Sequence, residues 1–138
     1  MSLEILQPPG WARPKGYANG VAAEGRLVFI AGQIGWNPQT GAFETDDMAG
    51  QVRQALANIC EVLAQAGGRA EHLTRLTWYV TDKQAYLADP KGIGDAYRSV
   101  VGRHFPVMAV VAVDGLIEDR ARVEIEATAV VPFDGDAR

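Results

Sequence analysis

The chain is poor in the residues that most often announce chemistry. Its 138 residues include one cysteine, two histidines and two serines, Ser2 and Ser99. The lone Cys60 excludes an internal disulfide and suits a reducing compartment. His72 and His104 stand 32 residues apart with no third ligand converging on them, so no metal and no cofactor is expected. Neither serine lies in a nucleophile-elbow motif. Positive charge is also short: 13 Lys and Arg face 17 Asp and Glu, and no basic cluster stands out. Nucleic-acid binding draws on a basic surface to release counterions, so no nucleic-acid partner is expected. The longest strictly apolar run, Val107 to Val113, has seven residues, against the ~20 that span a bilayer. The stretch from Met1 to Gly10 lacks the charged start and apolar centre of a signal peptide. The expectation is a cytoplasmic protein with no membrane partner.

What is present describes an ordinary globular chain. It is 48% apolar and 22% charged, and its length suits one domain over residues 1–138. Residues 1–16, rich in Pro and Gly, read as an extended N-terminal arm, and residues 133–138 as a frayed tail. Tyr17 to Ala22 and Arg26 to Ala31, separated by Glu24-Gly25, read as an opening hairpin. Gly32 to Gly41 reads as a loop whose turn starts at Asn37-Pro38.

Met48, Val52, Leu56, Ile59 and Leu63 recur every three or four residues and predict an amphipathic helix, with Thr45 or Asp46 as cap and Gly67-Gly68 as stop. Gln51, Arg53, Gln54 and Asn58 are expected to face mostly away from its apolar stripe. Cys60, on that stripe, reads as a buried structural thiol. Leu73 to Thr81 alternates as a strand with Leu76, Trp78 and Val80 on its apolar face. Asp82 to Asp89 reads as a connection, with room for one helical turn, to a second helix. That helix starts at Asp89-Pro90 and carries Ile93, Tyr97, Val100, Val101 and His104 at helical spacing. Gly92 and Gly94 weaken it by about 1 kcal/mol each relative to Ala. Two further strands, Val107 to Val113 and Arg122 to Val131, close the chain. The order β-β-α-β-α-β-β predicts a two-layer α+β domain: a mixed sheet with two helices on one face.

The other face of that sheet would hold Glu124, Glu126, Thr128 and Val130, and Val107 to Val113 is apolar on both of its faces. A strand in a half-solvated sheet should alternate instead. Cover from further copies of the chain, closed by cyclic symmetry, is the expected solution. A carboxylate at such a boundary is either paired, with Arg75, Arg120 and Arg122 as candidate partners, or kept for chemistry. Gly32-Gln-Ile-Gly35 lacks the spacing of a dinucleotide loop and is not one.

Four stretches now join up: Gly16-Tyr17 leading to Gly20-Val21; Phe29-Ile-Ala-Gly-Gln-Ile34 with Asn37-Pro-x-Thr-Gly41; Gln51-x-x-Gln-Ala-Leu-x-Asn58; and Val123-Glu-Ile-Glu-Ala127. Together they resemble the Rid family of reactive enamine/imine deaminases, older members of which carry an L-PSP endoribonuclease label. The resemblance implies a chorismate-mutase-like fold and a homotrimer with clefts between subunits. It also implies a small-molecule metabolite as partner, an imine or enamine hydrolysed to a carbonyl product and ammonia. It makes Glu124 the catalytic, water-orienting carboxylate, and Tyr17, Ala31 and Gly32 part of the substrate-binding cleft.

Three positions depart from the family pattern. Met108 stands where the substrate-carboxylate Arg is usual, Val110 where Cys is frequent and Gly94 where Asn lines the cleft. Met carries no charge, and a lost charge-assisted hydrogen bond costs about 1.5–3 kcal/mol. The cleft is thus expected to be unusually apolar, with Trp36 and Trp78 as candidate lining and Arg13, Arg75 or Arg120 as candidate replacement clamps. The alternative to an imine hydrolase is a non-catalytic small-molecule-binding trimer. A ribonuclease is disfavoured by the acidic charge and the missing His pair.

Overall fold

A computed structural model of the chain describes residues 3–133. It contains β1 (Glu4–Leu6), β2 (Gly20–Ala22), β3 (Arg26–Ile34), α1 (Met48–Ala64), β4 (Leu73–Val80), α2 (Lys83–Ala88), α3 (Pro90–Val101), β5 (Val107–Ala112) and β6 (Val123–Val131). The main sheet has the order β3-β6-β4-β5, antiparallel except for the parallel β4–β5 pair. The α+β mixed-sheet architecture is as the sequence predicts.

The core forms where the α1 stripe meets the inner residues of β4 and β6. Val52, Ala55, Leu56, Ile59 and Leu63 are fully buried, as are Leu73, Leu76, Val123, Ile125 and Ala129. Along β6 every second residue is buried, so Glu124, Glu126, Thr128 and Val130 are turned to the opposite side. Helix α1 is capped by Asp47, next after the expected Thr45 or Asp46, with its side chain accepting from Gly50 N. It ends before Gly67, which takes φ +76°, a left-handed conformation open to glycine at little cost.

Four local expectations are corrected. The segment before Glu24-Gly25 does not form a hairpin with β3, and only its last three residues are strand. Strand β2 pairs with β1, while β3 pairs over nearly its whole length with β6. A nine-residue strand gains far more ladder from a nine-residue partner than from a three-residue one. The N-terminal arm is therefore partly a strand, and Gln7 ties it further to the carbonyls of Trp11 and Ala12 and to Asn19. Strand β3 runs through Gly32 to Ile34, so the loop begins later than expected; its Asn37 turn is present, with Gly41 N donating to Asn37 O. The connection after β4 is a six-residue helix, capped by Asp82. Helix α3 stops at Gly102 (φ +79°), leaving His104 outside the helix, where its Nε2 lies 2.7 Å from Leu73 O. The expected tail over 133–138 lies, apart from Phe133, outside the described residues.

A fifth correction concerns the polar residues of α1. Gln51 is fully buried and Asn58 nearly so. Gln51 Nε2 donates to the carbonyls of Thr45 and Arg120, and its Oε1 accepts from Arg122 N. Asn58 Nδ2 donates to the carbonyls of Ile34 and Trp36, and its Oδ1 accepts from Gln54. Buried backbone groups need such partners, and loops cannot supply them internally. The two amides therefore pin the end of β3 and the entry to β6 onto α1. Replacing Gln51 by Leu keeps the volume but strands three backbone groups. We expect a loss of about 2–4 kcal/mol in urea unfolding, against less than about 0.5 kcal/mol if these bonds are incidental.

Candidate functional site

The residues singled out in the sequence fall into two groups on the single chain. Tyr17, Gly94, Met108 and Val110 line one cleft of about 550 Å³ between β5, α2, α3 and the N-terminal arm. Ala31, Gly32 and Glu124 meet elsewhere, where β3 and β6 pair.

The first group is assembled by β5. This strand pairs in parallel with β4, so Met108 lies beside Leu76 and Val110 beside Trp78, on the helix side of the sheet. Strand β5 is the sheet edge, beyond the cover of α1, and Val110 remains exposed. Tyr17 is brought in because Ala18 forms a parallel bridge to Val107, its N–H donating to Pro106 O at 3.1 Å. Gly94 faces the cleft from α3. The inner wall is aromatic: Trp78 packs edge-on to Tyr86 at 6.3 Å and stacks with Tyr97 at 6.4 Å, which stacks on Phe105 at 5.4 Å. Burial raises the pKa of both the Tyr97 and the Tyr86 phenols, Tyr97's strongly, so neither is a base at neutral pH. Among the described residues, Trp78 Nε1 is the one buried side-chain polar atom without a hydrogen-bond partner. Trp36 is not part of this wall; it packs against Phe43 at 6.1 Å.

The second group is assembled by a β-bulge. The β3–β6 register slips between Ile30 and Gln33, so that Ala31 and Gly32 together stand against Glu126. The Glu124 carboxylate lies directly over Gly32, and a Cβ there would collide with it. Glu124 is half-buried and has no hydrogen-bond or ion-pair partner among the described residues. None of its candidate arginines pairs with it: Arg120 binds Asp46 at 2.7 Å and Arg122 lies 3.5 Å from Asp82. Glu126 does have a partner, accepting from Tyr79 OH at 3.0 Å, and that bond raises the Tyr79 pKa.

Within one chain the candidate replacement clamps do not line the cleft. Arg75 lies on the open sheet face near Phe29 and Thr128, Arg13 lines a separate hollow with Trp11 and His104, and Arg120 is held by Asp46 and lies over the Phe43 ring. The cationic groups that do line it are Lys15 and Arg98. Neither was singled out from the sequence. A signal was available, since Gly94 and Arg98 are four apart and so share one helix face. Cys60, expected as a buried structural thiol, is half-buried, and desolvation pushes its thiol pKa up, which fits an inert role. Among the described residues no cluster of three or more metal-ligating side chains occurs.

The fold and these residues define a small α+β protein with an apolar cleft at its sheet edge. The profile of the family described as Endoribonuclease L-PSP matches residues 11–131. The human 2-iminobutanoate/2-iminopropanoate deaminase is 30% identical over 128 residues, covering 93% of this chain and 88% of that protein. A crystal structure of a Rid-family protein of unknown function from Yersinia pestis superposes with a TM-score of 0.83 at 29% identity, covering 95% of this chain and all of that one. Escherichia coli TdcF, solved with bound serine, gives 0.67 at 31% identity, covering 93% and 98%. The chain belongs to the Rid family, whose older description is L-PSP endoribonuclease.

The contact between Gly32 and Glu124 is open to a direct test. Gly32→Ala should cost about 1–3 kcal/mol in urea unfolding, because the new methyl overlaps the carboxylate. Adding Glu124→Ala should recover most of that loss, and strictly additive effects would contradict the contact.

Proposed function

We propose that this chain is an imine or enamine hydrolase working in a cleft between subunits of a homotrimer. The observation that carries the reading is the separation of the candidate site into two groups, each at an open part of the sheet. Strand β5 is an edge strand exposed through most of its length, and the open face carries Leu27 and Phe29, the latter 74% exposed. Apolar surface of this kind favours association, and a second copy would bring its Glu124 group to the Met108 cleft of the first. The human relative's name, an iminobutanoate and iminopropanoate deaminase, supports the same chemistry.

In this reading the substrate lies along the aromatic wall of one subunit, with Tyr17 and the backbone near Met108 against it. Glu124 of the neighbouring subunit orients a water molecule and takes its proton. The water oxygen bonds to the C=N carbon, the π pair moves to nitrogen, and nitrogen takes the proton back from Glu124. The carbinolamine's hydroxyl proton then passes to nitrogen, the C–N bond breaks, and ammonia leaves a carbonyl product. A half-buried carboxylate with no partner among the described residues has its oxygens free to accept from a water molecule.

The test is to generate 2-imino acids with an amino-acid oxidase in the presence of semicarbazide. The protein should suppress semicarbazone formation, and Glu124→Gln should abolish the effect. Suppression that survives Glu124→Gln removes the catalytic assignment. Light scattering should give about three times the 14.9 kDa chain mass, and a single-chain mass contradicts the shared cleft. A second reading, a non-catalytic binding protein on the same trimer, is favoured by Met108 and Gly94 at the clamp positions. It predicts ligand binding without suppression, and suppression gained in Met108→Arg.

A further inference from the structure

An apolar cleft without an Arg at position 108 raises the question of what would hold a substrate's acid group. We infer that Arg98 on α3 is the carboxylate anchor, and that the cleft takes 2-imino and 2-oxo acids with bulky apolar side chains. This rests on the deaminase reading for the reaction, though not for the binding.

Three observations converge on Arg98. It lines the same cleft as Met108, Tyr17 and Trp78. Asp95 Oδ1 accepts from its Nη2 at 2.7 Å, which leaves Nη1 and Nε without a partner among the described residues. Asp95 is in turn gripped by Lys91 at 2.9 Å, and the two cations hold its carboxyl below the usual range. The residue one turn earlier makes room: a Cβ on Gly94 would sit 3.2 Å from Arg98 Nη1 and 3.3 Å from Nη2. Glycine is a poor residue inside a helix, and here it lets the guanidinium fold back without the shift of a few tenths of an ångström that a methyl would force.

The two departures at 94 and 108 then have one explanation. A cation on the strand would be bordered by Trp78, Val110 and Ile93, which are apolar. Moving it to the helix rim leaves it partly in water, at a lower desolvation cost, while its planar fork can still grip both oxygens of a carboxylate. The floor thus freed becomes an apolar wall of Trp78, Met108 and Val110, fit for a larger side chain than a methyl or ethyl group. Lys15 also lines the cleft, but as a flexible point charge on the arm it lacks the fork.

Isothermal titration with phenylpyruvate and its methyl ester reads the anchor without catalysis. Wild type should bind the acid more tightly than the ester. Arg98→Met should weaken the acid about tenfold or more and leave the ester unchanged. Arg69→Met, an equal charge loss at an exposed residue paired with Glu71, should change neither. Gly94→Ala should raise the melting temperature by a few degrees yet weaken the acid several-fold, a pair of signs that a purely structural glycine would not give. Equal losses in Arg98→Met and Arg69→Met, or no acid preference in wild type, overturn the anchor. Suppression of semicarbazone by wild type with unaltered acid binding in Arg98→Met sinks the anchor and leaves the hydrolase. Arg98-dependent acid binding without suppression does the reverse.

Discussion

A helix can cover only one side of a sheet, and this chain places its helical cover on one side alone. Helix α1 packs on the inner residues of β3 and β6, with Leu56, Ile59 and Ile125 fully buried. The strict alternation of β6 then leaves Glu124, Glu126 and Thr128 no option but the opposite side. Both halves of the candidate site follow from this. One lies on the uncovered face, and the other lies at β5, the strand that α1 does not reach.

The connections are held by means other than apolar packing. Gln51 and Asn58 place amides inside the core to receive and donate to the backbone of the loop after β3 and of the residues before β6. Such groups are costly unless satisfied, and these are satisfied at both ends. They lock the end of the bulged strand that carries Ala31 and Gly32. The family motif around Gln51 is therefore a structural device. It sets where the bulge stands and hence where Glu124 finds a backbone with no side chain in its way.

Charge is distributed unevenly around the site. The cleft wall is aromatic and aliphatic, with its cations at the rim on Arg98 and Lys15. Three arginines that looked available in sequence do not line the cleft of their own chain: Arg120 binds Asp46, Arg75 lies on the open face, and Arg13 lines an adjoining hollow. Linear sequence shows which charges exist but not which are already neutralised by a neighbour 74 residues away, as Arg120 is by Asp46.

The sequence by itself determined the elements and their inward faces. The α1 stripe, the alternation of β4 and β6, the stop at Gly67 and the helix start at Asp89-Pro90 are local consequences of periodicity and backbone preference. The resemblance in four motifs was legible as well, because it rests on residue identity. Only the tertiary structure decided which strands pair, that β3 takes β6 and leaves β2 to β1. It also decided that Gln51 and Asn58 turn inward, and that Arg98 rather than Arg13 or Arg75 borders the cleft. The physical reason is common to all three. Pairing, burial of an amide and the destination of a long cation depend on groups far apart in sequence, and periodicity carries no information about partners at that distance.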